Sequence, residues 1–474
     1  MAGVDSLGSG AGGKTGAVSR TARWTVFLAG ALLAGLFWLG LVGGDLTASG
    51  RACLGAASLA VGLWGSELVS LPVTALLASL LLYVSGAAPA LPQAFSGFAS
   101  PVFWFMLGSF GLGIAGEQIG LVDRLAFWLL ARSRGSGHRL LFDLLLSLPL
   151  QALVVPSATS RNAVLVPVYD RLLGRIGRPP RLGAAVMLTL GVLGPLASTA
   201  LLSGGTSPVA AAQGIGGFNW ISWFVAVAPP YYVLLAISGG VLWFFARPEV
   251  EVGVSAEDLE NGKLRGLSTA EWKVAAVAVC TSLLWIMDQF THWPPAVPAL
   301  LAMAVLLLPR LGVMSWGEFA GRAPWGTCFV LAGAISLAES LSRSGAAAWL
   351  ARGLFAWFPA PSEAWAAALA IYVVTCAIAL AVPNRAAAIT LVIPLAAAYA
   401  GAGPLSVAAA GLVVLVAVDL ETIYPAQTAA NLIAYDRGYF DAGALARFNV
   451  LTLLAGALVL VFVALPWWGL VGLP

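Results

Sequence analysis

The sequence predicts an all-α, polytopic membrane protein with two inverted-topology repeats, each containing a re-entrant hairpin and a broken helix. The composition is the first observation: 60% of the 474 residues are hydrophobic and only 9% are charged, and the mean hydropathy is +0.92. A soluble protein carries roughly a quarter charged residues. The second observation is a pair of similar segments, 156–167 and 383–394, that each run from proline to proline inside long apolar stretches. Helix breaks at membrane depth are tolerated only inside protein or beside a water-filled cavity, and paired breaks are typical of secondary transporters with a midplane site.

Composition also divides the chain into parts. The Gly/Ser-rich start predicts a disordered cytoplasmic tail, and a polar stretch near the middle predicts a cytoplasmic linker, with a short amphipathic helix as the alternative. The apolar run after the tail is long enough to span a bilayer and is interpreted as an uncleaved first helix. The predicted parts are the tail 1–23, a first membrane half 24–246 with hairpin 140–170, the linker 247–273, and a second membrane half 274–474 with hairpin 364–401.

Basic residues set the expected orientation. Arginines crowd the loops around Arg132 to Arg139 and around Arg171 to Arg181. Loops rich in Lys and Arg remain cytoplasmic, so segment 140–170 should enter and leave on the same side. The count gives about eleven spans with a cytoplasmic N-terminus, in an inner (plasma) membrane of bacterial type.

Enzymatic function is not expected. The chain has two histidines and four scattered cysteines, and it contains no GxSxG, HExxH or CxxC pattern. An intramembrane hydrolase is the alternative from a different functional class. A membrane scaffold that transports nothing would leave the paired breaks unexplained. The expected partners are membrane lipid and a small solute, with no nucleic acid.

Four charged residues lie in or beside the apolar segments. Ionisable groups at membrane depth are costly and indicate function or a buried partner. Arg385 and Arg161 follow the two breaks, and an arginine offers planar, bidentate recognition of a carboxylate. Asp419 and Glu421 are possible charge partners of these arginines or carriers of a coupled proton, and structural ion pairs are the plain alternative for all four residues.

Several stretches resemble the divalent anion/sodium symporter family over nearly the whole chain from about Leu63. They are Trp64-Gly65-Ser66-Glu67, Gly120-Leu121-Val122-Asp123-Arg124, Trp316-Gly317-Glu318 and Trp349-Leu350-Ala351. The resemblance implies carriers of di- and tricarboxylates, sulfate and related anions that form homodimers and move by an elevator-type displacement. It also implies hairpin tips with a Ser-Asn-Thr motif and a second unwound segment in each half.

The family motif is only partly kept. Ser157 and Thr159 match the first tip but Ala158 replaces its asparagine, and at the second tip, Asn384-Arg385-Ala386, Arg385 stands in the place of the asparagine. The unwound segments would be 203–208 and 424–431. The substrate-binding candidates implied by the resemblance are Ser157, Thr159, Thr206, Asn384, Arg385, Gln427 and Thr428.

The departures from the family motif affect the expected binding of sodium. A hard cation requires several oxygen ligands, so a weakened sodium site at Ser157, Gly205 and Thr206 is one expectation, and no cofactor at all is the other. Arg385 cannot ligate sodium because a guanidinium has donors only. The resemblance implies a sodium ion at each hairpin tip. We therefore expect Arg385 to replace the ion at the second tip, and we expect anion exchange in place of sodium-driven uptake. A sodium- or proton-coupled symporter or ion exchanger of the same superfamily is the alternative.

Overall fold

Broken helices dominate the computed structural model. It describes residues 20–66, 68–119, 128–129, 132–133, 136–154, 158–175, 177–246, 268–309, 311–358, 363–380, 382, 384–401, 403–424 and 427–473. The regular secondary structure of these residues is helical, which confirms the predicted all-α class. Ser157, most of the predicted tail and linker residues 247–267 lie outside the described residues.

The first half contains nine helices of seven or more described residues. They are α1 (Arg20–Trp38), α2 (Ala48–Ser66), α3 (Leu71–Val84), α4 (Pro101–Gln118), α5 (Gly137–Val154), α6 (Ala158–Arg175), α7 (Pro180–Thr199), α8 (Thr206–Ile215) and α9 (Trp220–Ala246). Helix α7 contains a π turn at Thr189–Leu193, and a 3₁₀ turn at Leu202–Gly204 separates it from α8. The break at 200–205 therefore lies in the region where the sequence predicts it, and residues 155–157, between α5 and α6, lie outside the described residues.

The second half contains ten such helices among its described residues. They are α10 (Thr269–Ile286), α11 (Ala296–Leu307), α12 (Trp316–Arg322), α13 (Trp325–Arg343), α14 (Ala346–Leu354), α15 (Ala364–Ala379), α16 (Arg385–Ala400), α17 (Val407–Leu420), α18 (Ala429–Tyr435) and α19 (Ala442–Leu470). Helix α10 begins inside the interval assigned to the linker, because Ser268 and Glu271 form a reciprocal capping box. Five helices of the described part, α7, α9, α10, α13 and α19, are long and apolar enough to cross a membrane.

The two halves pack against each other crosswise. Helix α3 packs on α13, α4 packs on α11, and α8 packs on α16 and α17. The short helix α18 lies against α6 and the π turn of α7. Helices that border predicted breaks, α6 and α8 of the first half and α16 and α18 of the second, are thus in contact across the two halves.

Candidate functional site

The break between α15 and α16 positions Arg385. The chain leaves helical geometry after Ala379, and Asn384 caps α16 by accepting the Ala387 N–H at its Oδ1, 2.9 Å away. Arg385 is the first residue of α16 and is partly buried. Its Nη2 donates to the Thr422 Oγ1, whereas its Nε is buried without a hydrogen-bond partner among the described residues. The guanidinium is therefore anchored at one nitrogen and open at another.

The end of α17 supplies the residues that face Arg385. Helix α17 stops at Leu420, and the following backbone groups fall outside its hydrogen-bond ladder. Asn449 of α19 satisfies two of them: its Nδ2 donates to the Leu420 carbonyl, and its Oδ1 accepts the Thr422 N–H at 3.1 Å. The hydroxyl that holds Arg385 is thus fixed through Asn449.

Asp419 joins the two halves. It is 1% exposed, and its Oδ2 accepts hydrogen bonds from the Thr199 Oγ1 at 2.6 Å and from the Tyr231 hydroxyl at 3.2 Å. Two donors from the first half therefore converge on a carboxylate of the second half.

Glu421 has fewer hydrogen-bond donors than Asp419. It is also 1% exposed, and the Gln427 Nε2 donates to its Oε2. Its Oε1 is buried without a hydrogen-bond partner in the described part of the chain. Gln427 is held in turn by the Ile423 N–H, which donates to its Oε1 at 2.9 Å. Both Asp419 and Glu421 interact electrostatically with Arg385.

The first half places Arg161 in a similar contact. Arg161 is 2% exposed, and its Nη2 donates to the Ser198 Oγ and, at 3.3 Å, to the Gly194 carbonyl at the end of α7. Arg161 and Ser198 are 37 residues apart, and so are Arg385 and Thr422. In each half, an arginine that follows the first break therefore donates to a hydroxyl close to the second break.

The other predicted residues are more dispersed. Thr159 is exposed in the first turn of α6, and Thr206 is the partly buried first residue of α8. Gly205 before it has extended backbone angles. The Thr428 Oγ1 caps α18 by accepting the Asn431 N–H at 3.2 Å. The described residues therefore bring Arg385, Asp419, Glu421 and Gln427 together, but give Thr428 a capping role and leave Thr159 facing outward.

Sequence reasoning missed the residues that hold this cluster. Asn449, Tyr231 and Thr199 are buried and make the contacts given above. Asn162 is a fourth: its Nδ2 donates to the Leu190 carbonyl in the π turn at 2.8 Å and to the Ala430 carbonyl in α18 at 2.9 Å. The available signal was a polar side chain inside an apolar segment, which gives no information about the partner.

The two breaks differ in their fitness for a sodium ion. Gly205 and Thr206 carry oxygen donors of the kind that a hard cation prefers. At the break before α16, the group that interacts with both acids is a guanidinium, which has no acceptor. The residues at the break before α8 therefore carry the kind of ligand that sodium needs, and Arg385 does not.

Comparison with known proteins identifies the class. The family model of the sodium:sulfate symporter transmembrane region matches residues 21–473. The chain therefore belongs to this family of membrane transporters, which confirms the resemblance seen in the sequence and the expectation that the protein is not an enzyme. Together with the apolar helices, this makes it a multi-pass membrane protein.

Individual relatives are distant. A membrane protein of Cupriavidus necator is 26% identical over 94% of this chain and 93% of its own length. The citrate/succinate antiporter of Escherichia coli K12 is 26% identical over 55% of this chain and 56% of its own, so the match spans about half of that transporter. The crystal structure of the Alcanivorax borkumensis YdaH transporter covers 79% of this chain and 87% of its own, with 19% identity and a TM-score of 0.49.

Proposed function

We propose that the protein carries small divalent anions, di- or tricarboxylates or sulfate, across a bacterial-type inner membrane by anion exchange with little or no dependence on sodium. Family membership supports a transporter, and a relative that exchanges citrate for succinate supports a carboxylate substrate. The N-terminus is cytoplasmic in this proposal.

The observation that carries the proposal is the half-satisfied guanidinium of Arg385. Thr422 fixes one nitrogen, and the buried Nε has no acceptor among the described residues. A buried donor left unpaired costs about 1–3 kcal/mol. A substrate carboxylate that accepts from Nε removes this cost and adds a charge-assisted hydrogen bond.

A fixed positive charge accounts for exchange. In a sodium-coupled carrier the cation leaves with the substrate, whereas Arg385 remains in the protein. An empty site would have to cross the membrane with the buried Nε of Arg385 left without an acceptor among the described residues, and a buried polar group without a hydrogen bond is unfavourable. Return with a second anion avoids this cost.

The wider arrangement belongs to the same proposal. We propose two inverted repeats that meet at the breaks, re-entrant hairpins at 140–170 and 364–401, an elevator-type displacement, and a homodimer in lipid. The matching 37-residue contacts of Arg161 and Arg385 support a repeated architecture. If sodium binds at all, Gly205 and Thr206, together with Ser157, would hold it, and the ion would supply local positive charge.

The test is uptake of radiolabelled succinate, citrate or sulfate into proteoliposomes that are preloaded with unlabelled anion or left empty. We expect uptake to need internal anion and to be unchanged when choline replaces sodium. Sodium-driven uptake into empty vesicles would refute the role of Arg385.

Variants separate charge from geometry. Arg385→Gln should weaken apparent anion affinity by about tenfold to a hundredfold, because a hydrogen bond to a charged group contributes about 1.5–3 kcal/mol. Arg385→Lys should recover part of the loss, since it retains the charge without the planar fork. Arg343→Gln is the matched control, because Arg343 is an exposed arginine paired with Glu339 on the surface. If all three variants kept the anion affinity of the wild type, Arg385 would be excluded from the site.

A further inference from the structure

The two buried acids beside Arg385 are unequally provided with hydrogen-bond donors. Asp419 accepts from Thr199 and Tyr231 at its Oδ2. Glu421 accepts from Gln427 at one oxygen, and its other oxygen is buried without a donor among the described residues. Each hydrogen bond donated to a buried carboxylate stabilises its ionised form, whereas a buried carboxylate oxygen without a donor favours the neutral acid. Of the two, Glu421 is the residue that can hold a proton.

The surrounding charges point the same way. The titratable groups that interact with the pair are Arg385 from α16, Cys376 from α15, and Tyr231 from α9. Arg385 is the cation that faces both acids. With Asp419 and Glu421 both ionised, the trio of Arg385, Asp419 and Glu421 carries net negative charge. The proposed substrate would bring more negative charge to the same place.

We propose that Glu421 is a proton-binding site that takes up one proton when the divalent anion binds. This inference rests on the proposed function and specifies its coupling. The proton comes from the solution on the side where the anion enters and binds the donorless Oε1. The protonated trio is then neutral, so Arg385 meets the anion with one ionised acid beside it in place of two. On the opposite side, the anion and the proton leave together.

The consequence is a defined pH dependence. Protonation of Glu421 is favoured at lower pH, so the apparent KM for a fully dianionic substrate should fall as pH falls. The change is at most about tenfold per pH unit for a single proton. In exchange, each direction carries one anion and one proton.

The first measurement is the KM for succinate in anion exchange across neutral pH, where succinate is dianionic, with the full-length protein in proteoliposomes. In Glu421→Gln, which mimics the neutral acid, KM should be low and independent of pH. Asp419→Asn is the matched variant because it removes the equally buried neighbouring acid. It should slow exchange but keep the wild-type slope of KM against pH.

A second measurement needs no variant. Calorimetry of succinate binding to the purified wild type, in buffers of different ionisation enthalpy, should show about one proton taken up per anion at neutral pH. This readout remains decisive if Glu421→Gln does not fold.

The outcomes separate the two proposals. Exchange with a pH-independent KM and no proton uptake would overturn the role of Glu421 and leave the exchanger intact. A Glu421→Gln variant that keeps the wild-type slope would place the proton elsewhere and also overturn the inference. A wild type that exchanges neither succinate, citrate nor sulfate would refute the proposed function, and the inference would fall with it.

Discussion

Replacing Asn449 by leucine should be among the most damaging single changes in the second half. Asn449 is fully buried on α19, and its two polar atoms satisfy the Leu420 carbonyl and the Thr422 N–H where α17 ends. Leucine is of similar size but satisfies neither group. A buried backbone group left unpaired costs about 1–3 kcal/mol, so two of them predict a loss of about 2–6 kcal/mol in the free energy of unfolding.

The effect should extend to the site. Thr422 carries the hydroxyl that anchors Arg385, and its backbone position depends on Asn449. Asn449→Leu should therefore weaken apparent anion affinity as well as stability. Partial rescue by Asn449→Gln is not expected, because the longer side chain would move both polar atoms away from the two backbone groups.

The assay is denaturant unfolding of the purified protein in detergent, followed by exchange in proteoliposomes for the fraction that folds. Thr452→Val is the matched control: Thr452 is as buried on the same helix, and its hydroxyl donates to the Asn449 carbonyl within the helix. We expect it to cost about 1 kcal/mol or less. If Asn449→Leu were as mild as Thr452→Val, the backbone at the end of α17 would not depend on Asn449, and the reasoning would be refuted.

Two further changes probe the contact between the halves. Asn162→Ala removes the donor to the Leu190 and Ala430 carbonyls and should lower stability by about 2–5 kcal/mol; unchanged unfolding would contradict this. Gly204→Ala would place a Cβ 1.9 Å from the Ser198 carbonyl oxygen, so it should shift the 3₁₀ turn, lower stability by about 1–3 kcal/mol or more and reduce exchange. Gly240→Ala offers a comparison, because Gly240 lies within helix α9 and nothing lies within 4 Å of a Cβ there, and thermal unfolding of both variants decides the matter.

Local signals predicted the positions of the breaks but not their limits. Proline and small polar residues located the break before α16, where Asn384 provides the cap. The segment 203–208 was predicted to be unwound throughout, yet α8 begins at Thr206. Pro208 is compatible with this because proline in the first turn of a helix has no hydrogen bond to lose. Likewise α18 begins at Ala429 after its cap Thr428, inside the predicted unwound segment 424–431.

The cluster around Arg385 was predictable only in part. Arg385, Asp419 and Glu421 stand out in the sequence because charges are rare in apolar segments, and Gln427 lies close to Glu421 along the chain. Thr199 and Tyr231 are 220 and 188 residues from Asp419. No local pattern contains such a pairing, because it depends on how the two halves pack. The unequal number of donors on the two acids, from which the proton site is inferred, is therefore visible only in three dimensions.

The same pairing links stability to transport. Asp419 is held by donors from α7 and α9 of the first half, whereas Arg385 and Glu421 belong to the second half. A movement that separates the halves would remove donors from Asp419, and the cost of an unpaired buried charge would oppose it. A movement that keeps these elements together would leave the network intact. The contacts therefore oppose separation of the two halves at Asp419, and the proposed elevator-type displacement would have to keep these elements together.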